Sequence, residues 1–266
     1  MNDPIKSDSF YVTLPSNVKT QGHERKIGSY VTHLASKLEL SKDWMVGLCE
    51  IMYTNSWFNL TADSTIRIVS TVSRSPHTSW SRVPAGRYPD IQSLIEMIES
   101  LNFVGLKDRE EIPKLVPNTH ANNLMMKQGH RGSVPTIFEF GKELAHLIGA
   151  EEGFFCCQEI GGIDYYQTKG TYDLSTGVDG LYVYCDIVEY SIVGNARVQL
   201  LRLVKTKDAK FGERIDIVYD KPYYQPVFTN EISSIEIDVK DGTNRTIDFK
   251  FGRLEIVLHF IRQPKL

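Results

Sequence analysis

The chain has 266 residues, 41% of them hydrophobic and 24% charged, with a formal net charge of −3. That balance belongs to an ordinary folded protein with a sizeable core, and it excludes a disordered chain or one that coats nucleic acid or an anionic membrane unselectively. No apolar run approaches the ~20 residues that span a bilayer, and the N-terminus lacks an apolar signal core, so the expectation is a protein without membrane insertion, not secreted and kept in the cytosol or nucleus.

The first third reads as strands at Phe10–Leu14, Ser29–Leu38, Trp44–Tyr53 and Thr65–Val72, with Pro15-Ser16-Asn17 and Ser41-Lys42-Asp43 as turn signals. Asp90 then suits a helix N-cap, because Ile91, Leu94, Ile95, Ile98 and Leu101 follow at helical spacing. Gly105–Pro135 is mixed in charge, carries Pro113, Pro117, Gly129 and Gly132, and predicts a long surface loop. A second helix is predicted at about Gly141 to Ile148, stopped by Gly149. Gly161-Gly162 and Gly170 bracket a further loop.

From Leu181 onward strands return. In Leu181–Val188, Leu181, Val183, Cys185 and Ile187 fall on one face, and Tyr182, Tyr184, Asp186 and Val188 on the other. The same period recurs in Val198–Lys205, Arg214–Tyr219, Ile235–Val239 and Leu254–Arg262, and Asp241-Gly242 predicts a hairpin turn between Ile235–Val239 and Thr246–Phe251. A mainly β protein, a β-sandwich with two short helices and long loops, is the reading of the residues alone.

Chemistry-bearing motifs are sparse. The histidines His23, His33, His77, His120, His130, His146 and His259 are scattered, and none takes H-E-x-x-H or Cys/His ligand spacing. The four cysteines include vicinal Cys156 and Cys157, a spacing unlike C-x₂-C, while Cys49 and Cys185 sit in apolar strand patterns where a free thiol acts as a small hydrophobe. No G-x-S-x-G elbow or P-loop is present; Lys127, His130 and Arg131 are a weak anion-binding candidate, and Asp186 with Glu189 a weak acid–base pair. These patterns predict no catalytic residue, no metal and no cofactor. Trp44, Tyr53, Trp57 and Phe58, with Tyr223-Tyr224 between Pro222 and Pro226, suit either core and subunit packing or an aromatic ligand platform, packing being the favoured reading.

Several segments taken in order resemble the minor capsid (penton) proteins of Polinton/Maverick elements and adintoviruses. They are Phe10–Asn17, Tyr30–Leu40, Trp44–Ile51, Ser56–Asn59, Val83–Pro89, Leu181–Glu189, Val193-Gly194, Leu200–Arg202, Lys221–Val227 and Val257–Phe260. The resemblance implies a jelly-roll β-sandwich, needing about eight strands where the chain offers about ten. It further implies a single domain over 1–266 with an inserted segment at about 84–180. The role implied is a non-enzymatic vertex protein of the virion, a homopentamer docked on a major capsid protein and assembled inside the host cell, with no specific nucleic-acid binding. Tyr182, Tyr184, Asp186, Tyr223 and Tyr224 are the expected interface residues. Rival readings are a β-sandwich module that binds glycan or another host ligand, an enzyme with a site assembled across loops, and a host-domesticated copy with a changed role.

Overall fold

The computed structural model describes residues 8–16, 26–70, 77–104, 114–151, 153–156, 158–160, 163–175, 178–206 and 209–263, except 128–135. The strands in chain order are β1 (Ser9–Pro15), β2 (Ser29–Glu39), β3 (Trp44–Thr54), β4 (Ser64–Ser70) and β5 (His77–Val83). After α1 (Ile91–Ser100) come β6 (Lys114–Asn118), β7 (Asn123–Lys127) and β8 (Thr136–Phe140). After α2 (Lys142–Leu147) come β9 (Gly153–Cys156), β10 (Gln158–Ile160), β11 (Ile163–Gln167), β12 (Gly180–Cys185), β13 (Ser191–Val193) and β14 (Ala196–Val198). The chain closes with β15 (Leu200–Lys205), β16 (Arg214–Val218), β17 (Gln225–Pro226), β18 (Glu231–Lys240) and β19 (Glu255–Arg262). Two compact units result, one of residues 1–57 with 177–266 and one of residues 58–176.

The first unit holds two antiparallel four-stranded paths, β1-β19-β3-β16 and β15-β12-β18-β2, with the short β17 added beside β3. Chain order is nested in the pairings: β1 with β19, β2 with β18, β3 with β16, and β12 with β15. The chain therefore runs out along one arm and returns along the other, and the paired arms wrap into two sheets. That eight-stranded arrangement is a jelly roll, and the fold is mainly β as the sequence predicts.

Strand alternation sends one face of each sheet inward. Leu14, Val46, Leu48, Ile51, Leu258 and Phe260 from one sheet, and Leu181, Val183, Cys185, Ile235, Ile237 and Val239 from the other, are buried in a single core cluster. Phe10 stacks on Phe260 at 4.7 Å between centroids and tilts against Trp44 at 5.2 Å; Tyr53, Trp57 and Phe249 pack together further along. Trp44, Tyr53 and Trp57 are thus core residues rather than a ligand platform. Cys185 is fully enclosed and desolvation pushes its thiol up to about 12, so it serves as an inert small hydrophobe.

The second unit lies in the chain between β3 and β12. It has two antiparallel sheets, β5-β4-β8-β9 and β10-β11-β7-β6, with α1 packed against β6 and α2 against β4. Its own cluster includes Leu60, Ile66, Val83, Leu94, Ile95, Leu124, Met126 and Leu144. The strand predicted at Thr65–Val72 forms here, as β4. Asp90 caps α1 in a reciprocal box: its Oδ1 accepts from the Ser93 backbone N–H at 2.7 Å, and Ser93 Oγ sits 3.3 Å from the Asp90 N–H. Gly149 ends α2 at φ +69°, where a Cβ would strike the Gly170 and Thr171 carbonyls.

Four sequence expectations change. The stretch Gly105–Pro135 is not one long loop, because Leu115, Leu124 and Met126 bury into the second core from the hairpin β6–β7. Pro117 hides that hairpin from a reading of strand propensity, yet β6 is the edge of its sheet, where a missing N–H is tolerated. The loop after Gly161-Gly162 contains β11, the two glycines themselves lying outside the described residues. The Asp241 turn forms, with Oδ1 accepting from Thr243 and Arg245 N–H groups, but Thr246–Phe251 is not a strand: after one bridge between Lys240 and Thr246, Ile247 and Phe249 dive into the core. Finally, β12 stops at Cys185, and the turn closed by Val188 N–H to the Cys185 carbonyl reverses the parity, so Val188 is buried rather than outward.

The N-cap gives a direct check on local design. Asp90→Ala should lower unfolding stability by about 1 kcal/mol, read by urea denaturation, while Asp90→Asn should recover most of the loss.

Candidate interaction surface

The five residues expected at an interface fall into two groups. Tyr182, Tyr184 and Asp186 belong to the sheet β15-β12-β18-β2. Tyr182 sits in register with Leu203 and Lys240, and Tyr184 with Leu200 and Asp238. Both tyrosines are half-buried on the outward face. Lys240 Nζ lies 5.3 Å from the Tyr184 ring and 3.3 Å from Asp238. Burial raises the Tyr184 phenol above its ordinary range, with Lys240 working against it. Asp186 ties the end of β12 to β18 by accepting the Glu236 N–H at 2.9 Å, and burial raises its carboxyl. No acid–base pairing with Glu189 is built there; Asp186 is occupied by backbone.

Tyr223 and Tyr224 belong to a segment that crosses the outer face of the other sheet. Its close approach is set by Gly47: a Cβ there would lie 3.0 Å from Pro222 and 3.2 Å from the Tyr224 ring. Tyr224 Oη is 2.7 Å from His259 Nδ1, and His259 stacks on Tyr11 at 4.3 Å and 12°. His259 faces out of the sheet, as alternation with Leu258 and Phe260 requires, and desolvation lowers its pKa. Tyr223 is the more exposed of the pair, at 69%. The Arg202 guanidinium is sandwiched against Tyr219 at 3.4 Å and Tyr223 at 4.3 Å, which fastens this segment to β15.

Three further surface features escaped the sequence reading. Glu50 and Val218 are partners across β3 and β16, and Glu50 and Val257 across β3 and β19, which makes a row on the outer face beside Tyr11. At the β13–β14 hairpin, Tyr190 meets Phe228 edge-on at 5.8 Å and carries the Arg197 guanidinium at 5.3 Å, with Ile192 standing free beside them. Phe211 and Phe251 form another edge-on pair at 5.4 Å. Alternation with Leu258 and Phe260 turns His259 outward; nothing in the sequence joined residues so far apart.

Other candidates settle quickly. A cleft of about 310 Å³ is lined by Met52, Tyr53, Thr54, Arg214, Gly252 and Arg253, but Arg214 pairs with Asp216 at 3.0 Å and Arg253 with Glu255 at 3.4 Å. Among the described residues no group of three or more His, Cys, Asp or Glu is placed to hold a metal, and no helix is long and apolar enough to cross a membrane. His23, His130, Arg131 and Cys157 lie outside the described residues, as do the side chains of His77, Lys127 and Cys156.

His259 supplies a pH test. Its folded pKa lies below the unfolded value of about 6.5, so the unfolded chain binds the proton more readily in that range. The stability from neutral His259 is complete above about pH 6.5 and is lost as pH falls through the folded pKa. Urea midpoints should therefore drop on acidification through this window, and His259→Phe, which keeps the ring on Tyr11, should flatten that part of the slope.

No protein-family model and no curated protein sequence matches the chain. Among the solved structures that match, two align along nearly its whole length. The mavirus penton protein is 14% identical, with 96% of this chain and 99% of that chain covered and a TM-score of 0.49. A chain in the cryo-EM structure of the Sputnik virophage is 12% identical, with 97% of this chain and 99% of that chain covered and a TM-score of 0.47.

Proposed function

We propose that this protein is a structural capsid protein, the pentameric vertex (penton) protein of a virus-type particle, acting by self-association and by contact with a major capsid protein. The observation that carries the reading is the nested eight-strand jelly roll of the first unit, an architecture used by viral capsid and lectin domains. The ordered sequence resemblance to Polinton/Maverick and adintovirus penton proteins directs the choice between those two uses. The unit also exposes large apolar side chains at several places, including Tyr11, Tyr190, Ile192, Val218, Tyr223 and Phe228. Apolar rings displayed on rigid sheets suit protein contact.

The mechanism is geometric. A closed ring repeats one heterologous contact, so each copy presents two different patches, one given and one received. In this reading the role is structural rather than catalytic, and the Asp186 carboxylate is engaged by the Glu236 backbone N–H. The segment between β3 and β12 is then an insertion in the capsid chain, and Tyr182, Tyr184, Asp186, Tyr223 and Tyr224 contribute to inter-subunit contact. The site of action is the vertex of the virion.

Light scattering over a range of concentrations tests the proposal, alone and after co-expression with the major capsid protein. The expected result is a discrete species of five chains. Monomer under both conditions would overturn the vertex assignment, and saturable glycan binding by that monomer would favour a ligand-binding module instead. Tyr182→Ala with Tyr184→Ala should weaken the ring; a pentamer of unchanged stability removes that face from the interface.

A further inference from the structure

The β13–β14 hairpin is a ribbon of two three-residue strands that, among the described residues, pair only with each other, a construction that gains little stability by itself. Its turn is opened by Gly194 at φ +59°. Across the ribbon Ile192 faces Arg197 in register, and Ile192 is 82% exposed, the largest exposure of any bulky apolar residue described. Tyr190 and Phe228 continue the patch, at 47% and 58% exposed. Arg197 lies over the Tyr190 ring and has no carboxylate partner among the described residues. Aromatic rings around an unpaired guanidinium are the composition of an interface hot spot, and the missing partner is a carboxylate set among apolar groups.

The same unit carries that complement elsewhere. On the outer face of β1-β19-β3-β16, Glu50 sits between Val218 and Val257, and the same face carries Tyr11 and the Tyr223–Tyr224 segment that crosses at Gly47, with Tyr11, Val218 and Tyr223 each more than 60% exposed. Glu50 has no cationic partner among the described residues. Among the described residues, one patch offers Arg197 without an ion-pair partner and the other Glu50 without one, while Arg202, beside Tyr223, is held between tyrosine rings. The two patches lie on different elements of one chain, as a heterologous ring contact requires.

We infer that the hairpin patch of one copy, Tyr190, Ile192, Arg197 and Phe228, seats on the Glu50–Val218–Tyr223 face of the next copy, with Arg197 paired to Glu50 across the contact. The inference rests on the ring-forming reading above and names two surfaces that meet in the ring contact, in addition to the Tyr182–Tyr184 face. Arg197 and Ile192 are exposed and Glu50 is partly buried on the outer face, so thermal unfolding of each variant checks that neither core is disturbed.

Charge exchange tests it. Arg197→Glu and Glu50→Arg should each weaken assembly about a hundredfold, because like charges then meet across the contact, and the double variant should regain most of the wild-type association. Ile192→Asp should abolish the ring without a change in Tm. If the wild-type ring forms and either single reversal assembles at unchanged concentration, the inference fails while the proposed function stands. If both singles dissociate and the double is not restored, the Arg197–Glu50 pairing is overturned. Singles that keep the ring but lose the major capsid protein would assign the patches to that partner and overturn the second-copy contact. A wild type that forms no ring, alone or co-expressed, overturns both.

Discussion

The pairing of chain ends is the constraint on which the rest depends. β1 lies against β19 over seven registered pairs, from Ser9 opposite Ile261 to Pro15 opposite Glu255, so the first and last strands of the described chain form one ribbon. β2 with β18, β3 with β16 and β12 with β15 continue it inward. Because side chains alternate, a slip of one residue in any pairing would turn its apolar set to solvent. Register is therefore enforced by the core, by contacts such as Phe10 on Phe260 and the enclosed Val183, Ile237 and Val239. Irregularities at Val183/Tyr184, Val257/Leu258 and Ile232/Ser234 bend the strands while preserving inward faces on both sides.

The same alternation that fills the core composes the outer surfaces. Each inward Val, Leu or Ile fixes an outward neighbour, so the sheet faces display a pattern dictated by the interior. On one face that pattern yields Tyr182, Tyr184 and Lys240, half-buried and in mutual contact. On the other it yields Tyr11, His259, Glu50 and Val218, overlain by the Tyr223–Tyr224 segment where Gly47 makes room. Arg202 shows how tightly that segment is tied down, since its guanidinium is held between two tyrosine rings. A surface built on such rigid supports pays little ordering entropy on contact, which suits repeated assembly from identical copies.

Much of the fold was legible. Strand spans at Phe10–Leu14, Ser29–Leu38, Trp44–Tyr53 and Leu254–Arg262 emerge within a residue or two, because period-two patterning with one buried face is a strong local signal. The Asp90 cap was legible because apolar residues at helical spacing, beginning with Ile91, Leu94 and Ile95, follow it directly. The hairpin β6–β7 was not, since Pro117 reads as a breaker and only edge placement makes it harmless. The surface was half legible: outward tyrosines follow from parity, but which of them share a patch does not. Tyr224 and His259, and equally Glu50 and Val218, are distant in sequence and meet only through strand pairing.

By itself the sequence determined the class of structure, the face taken by most strand residues, the caps of the helices and the lack of a recognisable catalytic motif. All are set by period, composition and short-range hydrogen bonding, which act over a few residues. Tertiary structure decided the nesting of strands into a jelly roll, the formation of a second core between β3 and β12, and the assembly of exposed aromatic and charged groups into patches. Those depend on pairings between segments separated by tens to hundreds of residues. Several registers bury comparable apolar area locally, and only packing of the whole chain selects one of them.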